Sequence, residues 1–422
     1  MKKSTSTVLV LGVSLLFLLI SGITNDANAT SQWARKYKTS CSTCHNAFPR
    51  LNYYGERFML NGYQDPDADN PDGSVLAKRK INENLSLGNL SNLLGVRLNL
   101  TPVQIKTDKL VVNGEKQTET TFVNPNWFQL FFAGSISKNV SIFIEAAADG
   151  SEFHFSWYHI GFHNLGNTTL ANAFIGNISP LDFASYANRL RQIGAIKGDI
   201  FGIKSSGGAT DNKPEDALNV SGSRPGVMYF GYKGPFVLWA GLSPGSSARD
   251  VNNKIHGWAG LKLQVPEAAE SMFEGSSVTA WLYKGEDAAN TATAQITNPY
   301  TRLSFQGDLR WNEFDVQAAY VTVTEDNYFL DASNREEKYS GISVVAGKNI
   351  GKWYPVLAFD TIRYDNDAIA MTNDRTILTP SISYFLRENI RLGFHTRLDV
   401  SDENGGSYQR SHDSQLNIRV MF

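Results

Sequence analysis

The chain has 422 residues, in which 39 lysines and arginines nearly balance 41 aspartates and glutamates. This near-neutral charge offers no basic surface for a polyanion, so we expect no nucleic-acid partner. Beyond the first thirty residues, no stretch is long and apolar enough for a transmembrane helix. If the chain enters a membrane, it therefore does so as a closed β-barrel, which satisfies its backbone hydrogen bonds internally.

The N-terminus has the pattern of an export signal. Lys2 and Lys3 are followed by an apolar stretch at 8–20 and by the small-residue cleavage pattern Ala27-Asn28-Ala29. We therefore predict a signal peptide over residues 1–29 and a mature chain outside the cytoplasm. The alternative, an uncleaved anchor helix, is disfavoured because the apolar stretch is short.

The exported part of the chain contains the motif Cys41-Ser42-Thr43-Cys44-His45, which includes both cysteines of the sequence. C-x-x-C-H is the attachment signature of a c-type haem. On the first turn of a helix, two thiols at this spacing can each bond one vinyl group of a porphyrin, and the histidine binds its iron. Rival interpretations are a thioredoxin-like redox pair, half of a zinc site and a local disulfide. A thioredoxin-like pair would be followed by a βαβ pattern, and a zinc site would need a second C-x-x-C. Neither accompanies the motif.

Helical spacing surrounds the motif over residues 31–63. The spaced residues are Trp33, Ala34 and Tyr37 before it and Phe48, Leu51, Gly55 and Phe58 after it. Gly55 would let the backbone of the second helix approach the porphyrin closely, and Asn61-Gly62 ends that helix. Residues 30–83 are thus interpreted as a haem-binding segment with an acidic linker at 65–73, which lacks the spacing of a calcium loop.

A six-coordinate c-type haem needs a second axial ligand, usually methionine or histidine. Met59 is the only methionine of the haem segment and is our candidate for this distal ligand, with a core-filling role as the alternative. His154, His159 and His163 lie on one predicted strand, where alternation would turn His159 and His163 toward the inside of a barrel. His395 is expected to face inward too. We interpret each of these histidines as a polar residue that lines the barrel, with haem ligation as the less favoured alternative.

From about residue 84 to the C-terminus, apolar and polar residues alternate with period two. Leu416 and Ile418, for example, alternate with Gln415 and Asn417. Segments of this kind are the signature of an outer-membrane barrel, whereas a soluble sandwich would have fewer, shorter strands. We predict about sixteen antiparallel strands, near 95–106, 120–134, 139–148, 153–163, 169–178, 224–232, 235–243, 254–264, 276–284, 300–311, 313–324, 338–348, 353–364, 375–386, 390–400 and 412–422.

The predicted fold class is therefore all-β, a transmembrane barrel formed by residues 84–422 with a small α-helical haem segment at its N-terminus. Short and long connections alternate, as expected for periplasmic turns and outer loops, which places the haem segment on the periplasmic side or in the lumen. Residues 179–223 fit no strand, and we predict a short helix at 180–193 in a loop that folds inward as in porins. Aromatic residues expected at the membrane interfaces are Trp311, Trp353, Tyr354, Tyr364 and Tyr384.

These features together resemble the outer-membrane monohaem cytochrome–porin fusions that act as iron oxidases in Fe(II)-oxidising bacteria. The resemblance is carried by the C-x-x-C-H motif and the barrel, and between them by Pro49, Leu51, Gly55, Phe58 and Gly62-Tyr63. It implies one covalent haem c on Cys41 and Cys44, with His45 on the iron. At Met59 the chain departs from the family, whose members often have a basic residue there. The implied partners are outer-membrane lipid, extracellular Fe(II) or another donor, and a periplasmic cytochrome c or cupredoxin.

Our first functional hypothesis is electron transfer from an extracellular donor to a periplasmic carrier, as in an Fe(II):cytochrome c oxidase-like oxidoreductase. The second is a porin whose haem segment serves as a plug or sensor, with solute passage as its function. The third reverses the first and moves electrons outward. No sequence signature of a Ser-His-Asp triad, a phosphate loop or H-E-x-x-H occurs, so no catalytic residue is assigned.

Overall fold

The computed structural model describes residues 31–66, 93–109, 116–149, 152–187, 190–192, 222–244, 252, 254–266, 271–290, 295–328, 334–366, 374–401 and 411–422. The predicted signal peptide and most of the predicted linker lie outside these residues. Within them the chain forms two short α-helices, a two-stranded hairpin and a closed barrel. None of the helices in this part of the chain is both long and apolar enough to cross a membrane.

The barrel consists of sixteen antiparallel strands, numbered β3 to β18, and β18 closes the ring by pairing with β3. Each strand corresponds to one predicted from the sequence, so the fold class is confirmed. The bounds are Leu94–Lys109, Lys116–Ser137, Val140–Asp149, Glu152–Phe162, Asn172–Ile178, Arg224–Lys233, Phe236–Ser243, His256–Gln264, Ser277–Asn290, Gln295–Trp311, Phe314–Glu325, Glu337–Lys348, Trp353–Tyr364, Arg375–Arg387, Ile390–Asp399 and Ser411–Met421.

The period-two alternation separates an outer from an inner face, because successive side chains of a strand point to opposite sides. Gln415, Asn417 and Arg419 of β18 are buried in the lumen. Outward-facing side chains such as Phe305 and Leu357 are about half exposed and apolar, as a lipid-facing band requires.

The aromatic residues predicted for the membrane interfaces divide between the two faces of the barrel. Trp311 and Trp353 are exposed, and Trp353 packs against Tyr384 with ring centroids 4.7 Å apart. The prediction is wrong for Tyr354 and Tyr364, which face the lumen: Tyr354 is 1% exposed and Tyr364 stacks on another lumenal tyrosine. Tyr354 follows the outward Trp353 directly, and neighbouring residues in a strand cannot share a face.

The connection between β7 and β8 folds into the lumen, as predicted. Its described residues 179–187 form turns, so the helix expected at 180–193 is wrong over this stretch. The indole N–H groups of Trp239 and Trp281 donate to the carbonyl of Pro180 at 2.9 and 3.2 Å. Wall side chains thus satisfy backbone groups of this inward connection that a helix would have paired internally.

The hydrophobic core lies inside the barrel. Inward-facing side chains of β5 to β11 pack against the inward connection and the haem segment, and they include Phe143, Phe174, Phe230, Trp239, Trp258 and Trp281. On this side of the barrel, aromatic residues therefore line the lumen in place of the polar residues expected from the alternation. These side chains contact protein in the lumen, so burying them there is favourable.

Candidate haem site

The haem segment begins with a short helix, α1, at Gln32–Tyr37, and the C-x-x-C-H motif follows. Cys41–Thr43 form one turn of 3-10 helix, and His45 starts strand β1, His45–Ala47, which pairs with β2, Arg50–Leu51. The expected helix through His45 is therefore wrong. Pro49 explains the difference, because a proline ring in a helix clashes with the carbonyl four residues earlier, here that of His45.

The second helix, α2, extends over Tyr53–Leu60. Asn52 caps its N-terminus, since its Oδ1 accepts a 2.8 Å bond from the amide of Gly55. At the other end Gly62 has φ +70°, and the amides of Gly62 and Tyr63 donate to carbonyls of the last turn. This Schellman pattern confirms that Asn61-Gly62 ends the helix.

The start of α2 is docked directly on the motif. The amide of Asn52 donates to the carbonyl of Cys44 at 2.9 Å, and its Nδ2 donates to the carbonyl of Thr43 at 2.9 Å. A Cβ atom placed on Gly55 would lie 2.2 Å from the Cys44 carbonyl oxygen. The close approach predicted for Gly55 therefore exists, but it is made to the backbone of the motif.

The imidazole of His45 is held by its Nδ1, which lies 3.2 Å from the carbonyl oxygen of Pro49. A carbonyl oxygen at this distance favours the tautomer with the proton on Nδ1, and an imidazole in that tautomer binds a metal through Nε2. Burial lowers the pKa of His45 to about 4, so the ring is neutral at physiological pH. The Phe48 ring packs against it in a T-shaped arrangement at a centroid distance of 5.0 Å.

Both cysteines are free thiols in the structure, which shows no local disulfide. Burial raises the pKa of Cys41 to about 11, with a further contribution from Glu388, and burial raises that of Cys44 to about 12. A reactive redox pair requires a thiolate with a lowered pKa. The environment of these cysteines therefore disfavours the thioredoxin-like alternative.

A cavity of about 240 Å³ brings the predicted site residues together. Cys41, Cys44, His45 and Met59 all line it, and Met59 is 7% exposed. Its walls include several aromatic rings, and they also include residues that the sequence did not single out: Arg97, Phe131, Phe143, Glu145, Trp157, Arg191, Glu388 and Met421. The donor set, two thiols and an oriented imidazole that line one cavity, fits a covalently attached haem c.

The other candidate histidines are not among the residues that line this cavity. His159 and His163 are buried in the lumen, as predicted, and His163 contacts the carbonyl of Leu60 at 3.3 Å. His395 is fully buried against Ser381. His154 is exposed. None of the four lines the cavity that contains His45, which favours their interpretation as lining residues.

Buried ion pairs that the sequence did not reveal connect the haem segment to the barrel wall. Arg50 is fully buried, and its Nη2 lies 2.6 Å from Asp308 and 2.9 Å from Asp315. Its Nη1 donates to the carbonyl of Leu190 in the inward connection at 3.0 Å. Burial alone would lower the pKa of Arg50, but Asp308, Asp315 and Tyr354 outweigh it and raise the pKa above its usual value.

Glu56 of α2 makes the second of these connections. Its carboxylate pairs with Lys262 of β10 and, at 2.6 Å, with Arg310 of β12, while Gln264 donates to it at 3.0 Å. Burial alone would raise the pKa of Glu56, but the two cations outweigh it and lower the pKa. Charged groups separated by more than 200 residues in sequence thus fix the haem segment inside the lumen.

The haem segment lies at the end of the barrel that carries the short turns. Arg57 donates to the carbonyl of Gly234 and Gln64 to that of Lys138, both in such turns. The amide of Cys41 donates to Glu388 at 2.7 Å, between β16 and β17. These contacts connect the segment to the turns between β4 and β5, between β8 and β9 and between β16 and β17.

The comparisons with known proteins bear on the barrel. No family model and no curated protein matches the sequence. An anion-selective porin from Comamonas acidovorans is similar in structure, with a TM-score of 0.55, 11% identity, and coverage of 78% of this chain and 99% of the porin. The barrel has the fold of outer-membrane porins.

Two further porin-like structures match the same share of this chain, 78%. The outer membrane channel DcaP of Acinetobacter baumannii matches with a TM-score of 0.51 and 13% identity over 97% of its chain. OmpF of Salmonella typhi, in a complex with daunomycin, matches with a TM-score of 0.51 and 12% identity over 97% of its chain. At such low identity the likeness establishes the fold and leaves the function to be argued from the site.

Proposed function

We propose that this chain is an outer-membrane cytochrome, in which a haem c segment closes a porin-like barrel and electrons pass between an extracellular donor and a periplasmic carrier. The observation that carries the proposal is the single cavity lined by both thiols of the C-x-x-C-H motif and by His45, whose Nδ1 is held by the Pro49 carbonyl. Haem c, when bound, supplies a one-electron redox centre. By the family resemblance Fe(II) is the proposed donor.

The chain's own residues would bind, orient and shield the group. Cys41 and Cys44 would hold it covalently, and the Pro49 carbonyl would keep His45 in the metal-binding tautomer. Phe58, Phe131 and other aromatic walls would exclude water, which favours a fixed environment for electron exchange. The ion pairs of Arg50 and Glu56 would keep the segment at the periplasmic end, where a carrier can dock.

Met59 is the proposed distal ligand, because it is buried and lines the cavity with His45. Replacing it with leucine should change the absorbance and magnetic spectra of the oxidised haem, since a thioether would be lost from the iron. Met421 lines the same cavity and provides a matched control. Met421→Leu should leave those spectra unchanged; the opposite result would assign ligation to Met421.

The direct test is to produce the full chain in a host that attaches c-type haem, and to isolate it from outer membranes. We expect one covalent haem by mass and stopped-flow reduction of that haem by Fe(II). Cys41→Ala/Cys44→Ala should lose the covalent haem while retaining the barrel. Attached haem that Fe(II) fails to reduce would refute the donor, and reduction by a periplasmic carrier alone would favour outward electron flow.

The porin fold favours a second candidate, solute passage through a barrel that the haem segment plugs or regulates. Structural neighbours include a porin described as anion-selective, and the comparisons bear on the barrel and not on electron transfer. Conductance in planar bilayers separates the two functions. A steady open pore in the haem-loaded chain would support passage, whereas a closed barrel would support the cytochrome.

A further inference from the structure

A groove interrupts the outer face of the barrel across strands β10 to β13. It consists of two depressions of about 620 and 740 Å³, which share Leu263, Val278, Gly307 and Ala318 as lining residues. Leu263 and Val278 are 41% and 57% exposed, so the groove opens away from the lumen. None of these four residues lines the haem cavity, and the groove is therefore a separate feature of the barrel.

Small side chains form the floor of this groove. Val278, Gly307 and Ala318 lie opposite one another in the registers of β11, β12 and β13. A Cβ atom placed on Gly307 would lie in open space. The neighbours of Gly307 on the same face of β12 are Phe305 and Leu309, which are 53% and 45% exposed. A glycine between two bulky outward side chains leaves a gap in the ridge that the strand would otherwise present.

The groove has about the length of one leaflet of a membrane. Phe305 lines its end toward the long loops, while Leu309 and Pro235 line its end toward the short turns. Leu309 follows Phe305 by four positions, which at about 3.4 Å per residue corresponds to roughly 14 Å along the strand. The apolar band of an outer-membrane barrel is about 25 Å tall. The groove therefore faces the acyl chains of the leaflet at the turn end.

A cation lies at the turn end of the groove. Lys348, the last residue of β14, is directly opposite Phe314 in the register, and its Nζ lies 4.5 Å from the centroid of the Phe314 ring. The Phe314 ring also stacks on that of Trp311, which is 45% exposed. Val316, two positions beyond Phe314 on the same face, lines the groove. Aromatic residues are enriched where a membrane meets water, and a lysine at that level attracts lipid phosphate.

We propose that this groove binds a membrane phospholipid, with an acyl chain over Gly307 and the phosphate beside Lys348. Apolar surfaces in a bilayer attract one another through van der Waals packing, and an unfilled gap forfeits those contacts. A flexible acyl chain fills a groove, whereas the facing wall of a second barrel is convex. Two copies in the same orientation would also bring their lysines to the same height, while a phospholipid supplies an anion there.

Native mass spectrometry of the full chain, titrated in detergent with dioleoyl-phosphatidylethanolamine, tests the acyl-chain site. Gly307→Leu should bind the lipid about tenfold more weakly than the parent, because the new side chain occupies the floor of the groove. Ala318→Leu narrows the same floor and should act in the same direction. Equal affinity of the parent and both variants, each shown to be folded by circular dichroism, would overturn the inference.

Gly257→Leu is the matched control for these variants. Gly257 lies between the buried His256 and Trp258 on β10, so it faces outward, and it is near the loop end of the strand. A Cβ atom placed on it would make an ordinary contact, 3.5 Å from Leu242. Its lipid affinity should equal that of the parent. A loss as large as that of Gly307→Leu would mean that added bulk on the outer face, and not the groove, determines lipid binding.

Lys348→Gln tests the position of the phosphate. The affinity for the phospholipid should fall about fivefold, whereas the affinity for dioleoylglycerol, which lacks the phosphate, should stay unchanged. Lys284→Gln is the control, since Lys284 is exposed on the outer face near the loop end of β11 and should not affect either lipid. Equal losses of both lipids in Lys348→Gln would overturn the phosphate assignment.

Two further measurements separate a phospholipid from other occupants. Displacement of the bound lipid by inorganic phosphate would assign Lys348 to a free anion. A cross-linked dimer in bilayers that Gly307→Leu abolishes would assign the groove to a second copy of the chain. Either result would overturn the proposal, and the absence of both supports it. The groove belongs to the barrel wall, so a failure of the proposed electron transfer leaves these expected results unchanged.

Discussion

The haem segment contacts two walls of the barrel whose charges are arranged differently. On the wall formed by β10, β12 and β13, Arg50 and Glu56 meet opposite charges at contact distance. On the wall formed by β3, β17 and β18, Arg391 and Arg419 meet a carbonyl, an amide and a ring. The first wall can hold the segment without a ligand. The second wall instead meets the segment at Phe48, whose carbonyl accepts from Arg391 and whose ring lies 5.7 Å from the guanidinium group of Arg419.

We call the wall formed by β10, β12 and β13 the paired wall. The largest expected effect comes from removing its ion pairs with Arg50. Arg50→Met leaves the buried carboxylate of Asp315 without its cation, while Asp308 keeps Arg310 at 3.0 Å, so the free energy of unfolding should fall by about 3–5 kcal/mol. Lys338→Met is the control, since Lys338 and Glu336 form an exposed pair, 58% and 57% accessible, whose attraction solvent screens. Denaturant titration of both variants in one detergent measures the difference. Equal losses would mean that Arg50 does not anchor the segment.

Low pH should reversibly break the ion pairs that Glu56 makes with the same wall. Lys262 and Arg310 hold the pKa of Glu56 below its unfolded value, about 4.3. A carboxyl whose pKa is lowered by folding contributes stability above the unfolded pKa, and this contribution is lost as the pH falls through the folded pKa. Unfolding free energy measured from pH 7 to pH 3 should therefore decline below about pH 4.3, and Glu56→Gln should flatten that decline. An unchanged slope in Glu56→Gln would exclude Glu56 as its source.

A smaller effect is expected where α2 meets the motif. In Gly55→Ala the added methyl group would lie 2.2 Å from the Cys44 carbonyl, so helix and motif must separate at a cost of about 1–3 kcal/mol. The yield of covalent haem should fall too, because both thiols would shift relative to the cavity that they line. Gly307→Ala, where the new methyl group meets open space, is the control. Full haem attachment in Gly55→Ala would show that the docking of α2 does not position the thiols.

The sequence predicted the elements that depend on local pattern. Alternation with period two is a property of each strand by itself, and it located all sixteen strands and the inward faces of His159 and His395. The same rule, applied residue by residue, would have turned Tyr354 inward, since Trp353 faces outward. Pro49, four residues after His45, was a visible signal against a helix through the motif.

The paired wall could not be predicted in this way. Arg50 meets Asp308 across 258 positions, and Glu56 meets Arg310 across 254. Such pairs depend on how the haem segment is rotated inside the lumen, which no local pattern specifies. The pairing of Arg391 with Arg419 was easier to predict, because the strand register alone places the two residues opposite each other. Their contacts with Phe48, however, are visible only in three dimensions.

Asn52 both caps α2 and docks it on the motif. Substitutions of Asn52 distinguish these two roles and have the smallest expected effect. Asn52→Ala removes the cap and should lower the free energy of unfolding by about 0.5–2 kcal/mol. Asn52→Asp keeps an oxygen that can cap Gly55 but loses the Nδ2 donor to the carbonyls of Ser42 and Thr43. We expect Asn52→Asp to restore stability in denaturant titrations while haem attachment, measured by mass, stays reduced. If both properties recovered together, the cap alone would position the motif, and the contacts of Nδ2 would be incidental.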